Sequence, residues 1–79
     1  MPETTGDIVG NYMLTLTRGE FGRETILVRG NLSQWMRDRK GRPSKDPGRW
    51  MVSGWRCMVM PVNESAITMT ENVLGRSLS

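Results

Sequence analysis

Within residues 37–49 the sequence RDRKGRPSKDPGR places Arg37, Arg39, Lys40, Arg42, Lys45 and Arg49, and Trp50 follows at once. These side chains bind rather than react. Guanidinium offers a planar fork of donors to phosphate or carboxylate, and ammonium offers a point charge. Six bases face only Asp38 and Asp46 in that segment, a net of +4, whereas the rest of the chain holds five bases and six acids. The whole surplus of +3 therefore sits in one stretch. Arginine outnumbers lysine nine to two across the chain, which suits flat anionic groups and aromatic faces.

The groups that bond-making chemistry needs are scarce. The 79 residues contain no histidine, so the commonest general base and metal ligand is missing. Cys57 is the single cysteine, which excludes an intramolecular disulfide, a cysteine-based metal site and a Cys–His nucleophile. Within the apolar run around it, Cys57 is expected to be a small buried hydrophobe. Neither a GxxxxGK[ST] nor a GxGxxG phosphate loop occurs. The GEFG at 19–22 matches a GxxG nucleic-acid loop in spelling only, because Glu20 would repel phosphate. No enzymatic activity, cofactor or metal is expected.

The elements that must hold the basic segment follow from periodicity. Residues 1–10 carry Pro, Thr, Gly and acids without a repeat, and are expected to be a flexible arm. The remainder, 11–79, is short enough for one small domain with the basic loop at 37–49. In NYMLTLTR (11–18), Tyr12, Leu14 and Leu16 alternate with Met13, Thr15 and Thr17, the signature of a half-buried strand. GEFG breaks it and ETILVR (24–29) resumes, so the two form a hairpin. Asn31 is a good N-cap with Gln34 at the capping-box position, and Leu32, Trp35 and Met36 make one apolar stripe. A short helix over about 32–40 follows, with Gly41 as its C-cap. Pro43 and Pro47 keep 41–49 out of helix and central strand.

RWMVSGWRCMVMPV (49–62) is apolar on both parities. It reads as one long strand with a bulge at Gly54, covered on both faces or meeting another subunit. The alternative is a tight Ser53-Gly54 turn that divides it in two. After Pro61, residues 64–70 lean towards strand, although Thr68 and Glu71 could open a short helix reaching Leu74. The pattern gives an α+β fold, a small antiparallel sheet of about four strands with one short helix. A small all-β barrel is the alternative.

Function then reduces to binding. Three Trp and seven Met exceed what one small core needs, and Arg and Trp are the residue types most enriched at interface hot spots. The expected activity is that of a small non-catalytic stoichiometric binding protein, an inhibitor or adaptor. It would dock through Arg37, Arg39, Lys40, Arg42, Lys45, Arg49 and Trp50 on an acidic protein or a protein–nucleic-acid complex. Size, composition and missing chemistry liken it to phage and mobile-element inhibitors of host defences, anti-CRISPR proteins among them, although no motif places it in a known family. The alternative is direct binding of nucleic acid, with the same bases on phosphates and tryptophans stacking on unpaired bases. A homodimer is expected from the two-faced strand. No leader and no apolar stretch near 20 residues is present, so a cytoplasmic protein without membrane contact is expected.

Overall fold

A computed structural model describes residues 8–79. The fold is α+β, a five-stranded antiparallel open sheet with two helices, not a closed barrel. In chain order the elements are β1 (Val9–Arg18), β2 (Gly22–Asn31), α1 (Leu32–Asp38), β3 (Arg42–Pro43), β4 (Arg49–Val52), β5 (Trp55–Pro61) and α2 (Glu64–Leu74). The strands lie in the order β2-β1-β5-β4-β3. The expectation of four strands and one helix thus falls short by one of each.

Most of the expected elements form, with longer bounds. β1 and β2, ten residues each, make a hairpin around a turn at residues 19–21, in which Gly19 takes a φ of +67°. β1 begins at Val9 rather than Asn11, because Val9 pairs with Asn31 and Gly10 with Gly30. Two facing glycines carry no strand signal of their own. The last residues of the expected arm therefore belong to the sheet, and the backbone N–H of Leu32 donates to the carbonyl of Ile8 at 2.8 Å. The rest of that arm, residues 1–7, lies outside the described residues.

The long apolar run is where the reading changes most. Val52 pairs with Trp55, and Ser53 (φ +49°) and Gly54 (φ +83°) form a two-residue turn with both φ positive. This is the mirror-image turn that matches strand twist in a hairpin. The single bulged strand over 49–60 is therefore replaced by the hairpin β4–β5. Its apolar character on both parities has a simple cause. Trp50 and Val52 face the same side as Cys57 and Trp55, so the parity that points inwards switches at the turn.

One face of the sheet carries the core. Leu14, Val28, Val52 and Cys57 are buried there against Leu32 and Met36 of α1. Tyr12, Leu16, Ile26, Trp35, Trp50 and Val59 pack around them, half-buried. Burying Leu32 and Met36 fully is worth about 1.5–3 kcal/mol each, which is what fixes α1 to the sheet. The N-cap expected at Asn31 is present, its side chain accepting from the backbone N–H of Gln34 at 2.8 Å. The side-chain amide of Gln34 donates instead to Asp38 at 2.7 Å.

The opposite face carries α2. Its N-cap is Asn63, whose side chain accepts from the backbone N–H of Ala66, and Gly75 ends it in the left-handed region. Glu64 accepts from Asn11 at 3.1 Å and from Arg29 at 2.8 Å, two residues paired across β1 and β2 on the face away from Leu14 and Val28. Ile67 and Leu78 are buried on this side. Glu71 holds the turned-back tail by accepting from Ser77 and from the backbone N–H of Leu78. The β-leaning reading of 64–70 gives way to helix because this cap and this burial outweigh the weak propensity of Ile67, Thr68 and Thr70. Among the described residues no helix is long and apolar enough to cross a membrane.

Candidate anion-binding face

The segment 37–49 is neither one loop nor one surface. Its first part ends α1 in a Schellman motif: the N–H of Gly41 reaches the carbonyl of Met36 at 2.8 Å, and the N–H of Lys40 reaches that of Arg37 at 3.0 Å. Lys40, not Gly41, occupies the left-handed position, with φ +55°. Gly41 is needed for space instead. A Cβ there would stand 2.8 Å from Val52 Cγ2 and 3.1 Å from the Met36 carbonyl oxygen. The expected cap is thus displaced by one residue.

Three of the six bases belong to this helix end. Arg37 donates to the Gln34 side chain at 3.0 Å. Arg39 lies with its guanidinium carbon 3.8 Å from the centre of the Trp35 ring and donates to the Trp35 carbonyl at 3.2 Å. Lys40 is exposed. The chain then turns into β3, where Arg42 pairs with Met51 and Pro43 with Trp50. An edge strand is the place where a proline without a donor is tolerated. Residues 44–48 close the β3–β4 hairpin, with Lys45 exposed in that turn. The turn is tied down: Asp46 N donates to Ser44 Oγ at 3.3 Å, and Val59 N donates to the Gly48 carbonyl at 2.9 Å. This part of the basic loop expected over 37–49 is a tethered hairpin.

Register then decides which bases share a surface. Trp50 pairs with Cys57 and packs on the core side. Arg49, paired with Met58, points to the other face, and so does Arg42 through its pairing with Met51. Met51 in turn pairs with Arg56, Arg56 with Thr17, and Thr17 with Arg23. One row across all five strands therefore reads Arg23, Thr17, Arg56, Met51, Arg42. It spans four strand intervals, about 19 Å at 4.7–4.9 Å each. Arg49, Met58 and Thr15 make the next row.

Among the described residues nothing covers this half of the face, since α2 is anchored over the β1–β2 end. Arg23, Arg42, Arg49 and Arg56 are exposed, and Met58 and Met60 are 45% and 54% exposed. Arg23, Arg49 and Arg56 line an open cleft of about 310 Å³ with Thr15, Thr17 and Met58. Among the described residues no ion pair joins Arg23, Arg42 or Arg56 to a carboxylate, and Arg49 has only a long one, 3.8 Å to Asp46. Glu20 also lines the cleft, a carboxylate among the bases.

Arg23 and Arg56 escaped the sequence reading because they lie outside the charged segment. The signal that finds them is register, available once Ser53-Gly54 is recognised as a turn. Three of the carboxylates elsewhere hold structure: Glu64 and Glu71 fasten α2 and the tail, and Asp38 fastens α1. Cys57 is 1% exposed, and burial pushes its thiol above the ordinary value of 9.0, partly offset by a hydrogen bond with the Val52 backbone. No family model matches the chain, and neither a curated protein nor a solved structure does.

Proposed function

We propose that this chain is a non-catalytic binding protein that acts by stoichiometric docking, as an inhibitor or adaptor of phage or mobile-element type would. Its docking surface is the arginine face of the sheet, Arg23, Arg42, Arg49 and Arg56, with the hairpin turn that carries Lys45 at its border. The observation that supports this most is the set of exposed arginines, without close carboxylate partners among the described residues, on the half of the face that α2 leaves open. A fold using them for its own stability would pair them. Left unpaired, they suit an anionic surface that arrives from outside, and exposed Met58 and Met60 supply adaptable apolar contact beside them. Arg37, Arg39 and Lys40 serve a lesser role, because Arg39 is already stacked on Trp35 and Trp50 packs on the core.

The two-faced strand that suggested a homodimer is a hairpin, so that argument no longer stands. A homodimer would instead cover Met58 and Met60, and light scattering separates it from a 9.0 kDa particle. The test of the docking surface is a pair of triple variants used as bait in host lysate. Arg42, Arg49 and Arg56 changed to Glu should abolish capture of the partner that the wild type retains. Arg37, Arg39 and Lys40 changed to Glu should weaken it only partly. Equal capture by the first variant and the wild type would refute the assignment of this face.

A further inference from the structure

We propose that the arginine face binds the phosphate backbone of double-stranded nucleic acid, independently of sequence. This rests on the reading above that the face is the docking surface, and it names the partner's chemistry. Four guanidinium groups stand on a row about 19 Å long and the row beside it, at strand spacings of about 4.8 Å. A duplex presents about one charge per 1.7 Å of axis, so all four meet phosphates in almost any lateral placement. An acidic protein would need carboxylates at four matched positions.

Most other groups on the face agree, while Glu20, at the β1–β2 end of the cleft, opposes an anion there. Thr15 and Thr17 lie beneath the cleft between Arg23, Arg49 and Arg56, and their hydroxyls are the neutral donors that commonly reach phosphate oxygens. Each arginine supplies a bidentate fork, whereas no lysine stands on either row. No aromatic side chain stands in these rows: Trp50 and Trp55 point to the opposite face, and Trp35 is on α1. Base stacking, which binding of single strands ordinarily uses, has no platform within these rows; the exposed Phe21 stands outside them, in the β1–β2 turn. Backbone contact without stacking favours the duplex.

The probe is a fluorescent random-sequence DNA duplex of about 20 base pairs, followed by anisotropy from about 50 to 200 mM salt. Four phosphate contacts predict a log–log slope of about −3 to −4, the same for a second, unrelated sequence. Arg49→Glu with Arg56→Glu should remove measurable binding, and the single change Arg23→Ala should reduce the slope by about one. Arg37→Ala, on the α1 side, should leave the slope unchanged and lower affinity by no more than about twofold. Thermal melting of each variant shows that the fold is intact. Absence of duplex binding at the lowest salt overturns the proposal, as does tighter binding to a single strand of equal length. If duplex binding fails while the Arg42, Arg49 and Arg56 triple variant still loses its captured partner, the docking surface stands and its partner is an acidic protein. If that triple variant keeps its partner, the docking surface itself is wrong.

Discussion

Lys40 and Gly41 permit a test in which neighbouring substitutions should act in opposite directions. Lys40 holds φ +55°, a left-handed conformation that costs a residue with a Cβ about 1–2 kcal/mol. Replacing it by glycine removes that strain, but adds about 0.5–1 kcal/mol of unfolded-state freedom that folding must overcome. The net expectation for Lys40→Gly is a gain of about 0.5–1 kcal/mol, or a melting midpoint roughly 2–8 °C higher for a domain this small. Lys40→Asn should gain somewhat less, since asparagine tolerates the same region. Gly41→Ala should do the reverse. Its Cβ would meet Val52 Cγ2 at 2.8 Å and the Met36 carbonyl oxygen at 3.1 Å. The carbonyl is fixed by helix α1 and accepts from both Arg39 and Gly41, and Val52 is buried. Neither neighbour yields easily, so a loss of about 1–3 kcal/mol is expected, the usual range for overpacking. Thermal melting by circular dichroism reads both. If Gly41→Ala is neutral and Lys40→Gly destabilises, the glycine is the cap after all and the register of this segment is wrong.

The remaining expectations concern other parts of the fold. Asn63→Ala should lower stability by about 0.5–2 kcal/mol by stripping the cap from α2, and an unchanged midpoint would show that α2 does not depend on that cap. Because the folded state holds the Cys57 proton more tightly than the unfolded state does, its contribution is complete below pH 9.0 and is lost as pH rises past the folded value. Wild type should therefore lose stability relative to Cys57→Ala in alkaline buffer, and parallel pH profiles would contradict this. Asp46→Asn should release Arg49 from the carboxylate beside it, and raise affinity for a duplex about two- to fivefold at low salt. Unaltered affinity would mean that Arg49 does not reach the ligand.

Local signals were legible wherever one residue decides one bond. Asn31 caps α1, Gly75 closes α2 in the left-handed region, and Pro43 sits at the sheet edge, as their chemistry requires. The misreadings arise where two residues share a task or where tertiary burial overrides propensity. Ser53-Gly54 lacks the asparagine that marks such turns, and apolar residues of both parities hid the reversal. In α2, Ile67, Thr68 and Thr70 argue for strand. The helix forms because Ile67 is buried and Thr70 Oγ1 donates to the Ala66 carbonyl at 2.8 Å, so the hydroxyl finds its partner inside the helix. The cap assigned to Thr68 lies more than one turn too late, because the true cap, Asn63, falls between the apolar run ending at Val62 and the segment starting at Glu64.

The arginine face was the least legible feature, and the reason is geometric. Charge counted along the chain groups Arg37 with Arg49, yet α1 and the core side hold the first while the opposite face holds the second. Charge counted across strands groups Arg23, Arg56 and Arg42, which are separated by up to thirty-three positions in sequence but by only four strand intervals in space. The same geometry separates function from stability. The core lies on one face with α1, and α2 covers the β1–β2 end of the other, so the open end is free of packing duties. Exposed arginines there contribute little to folding, within about 0.5 kcal/mol for each substitution. A loss of binding on charge reversal can therefore be read as a loss of contact, not of structure.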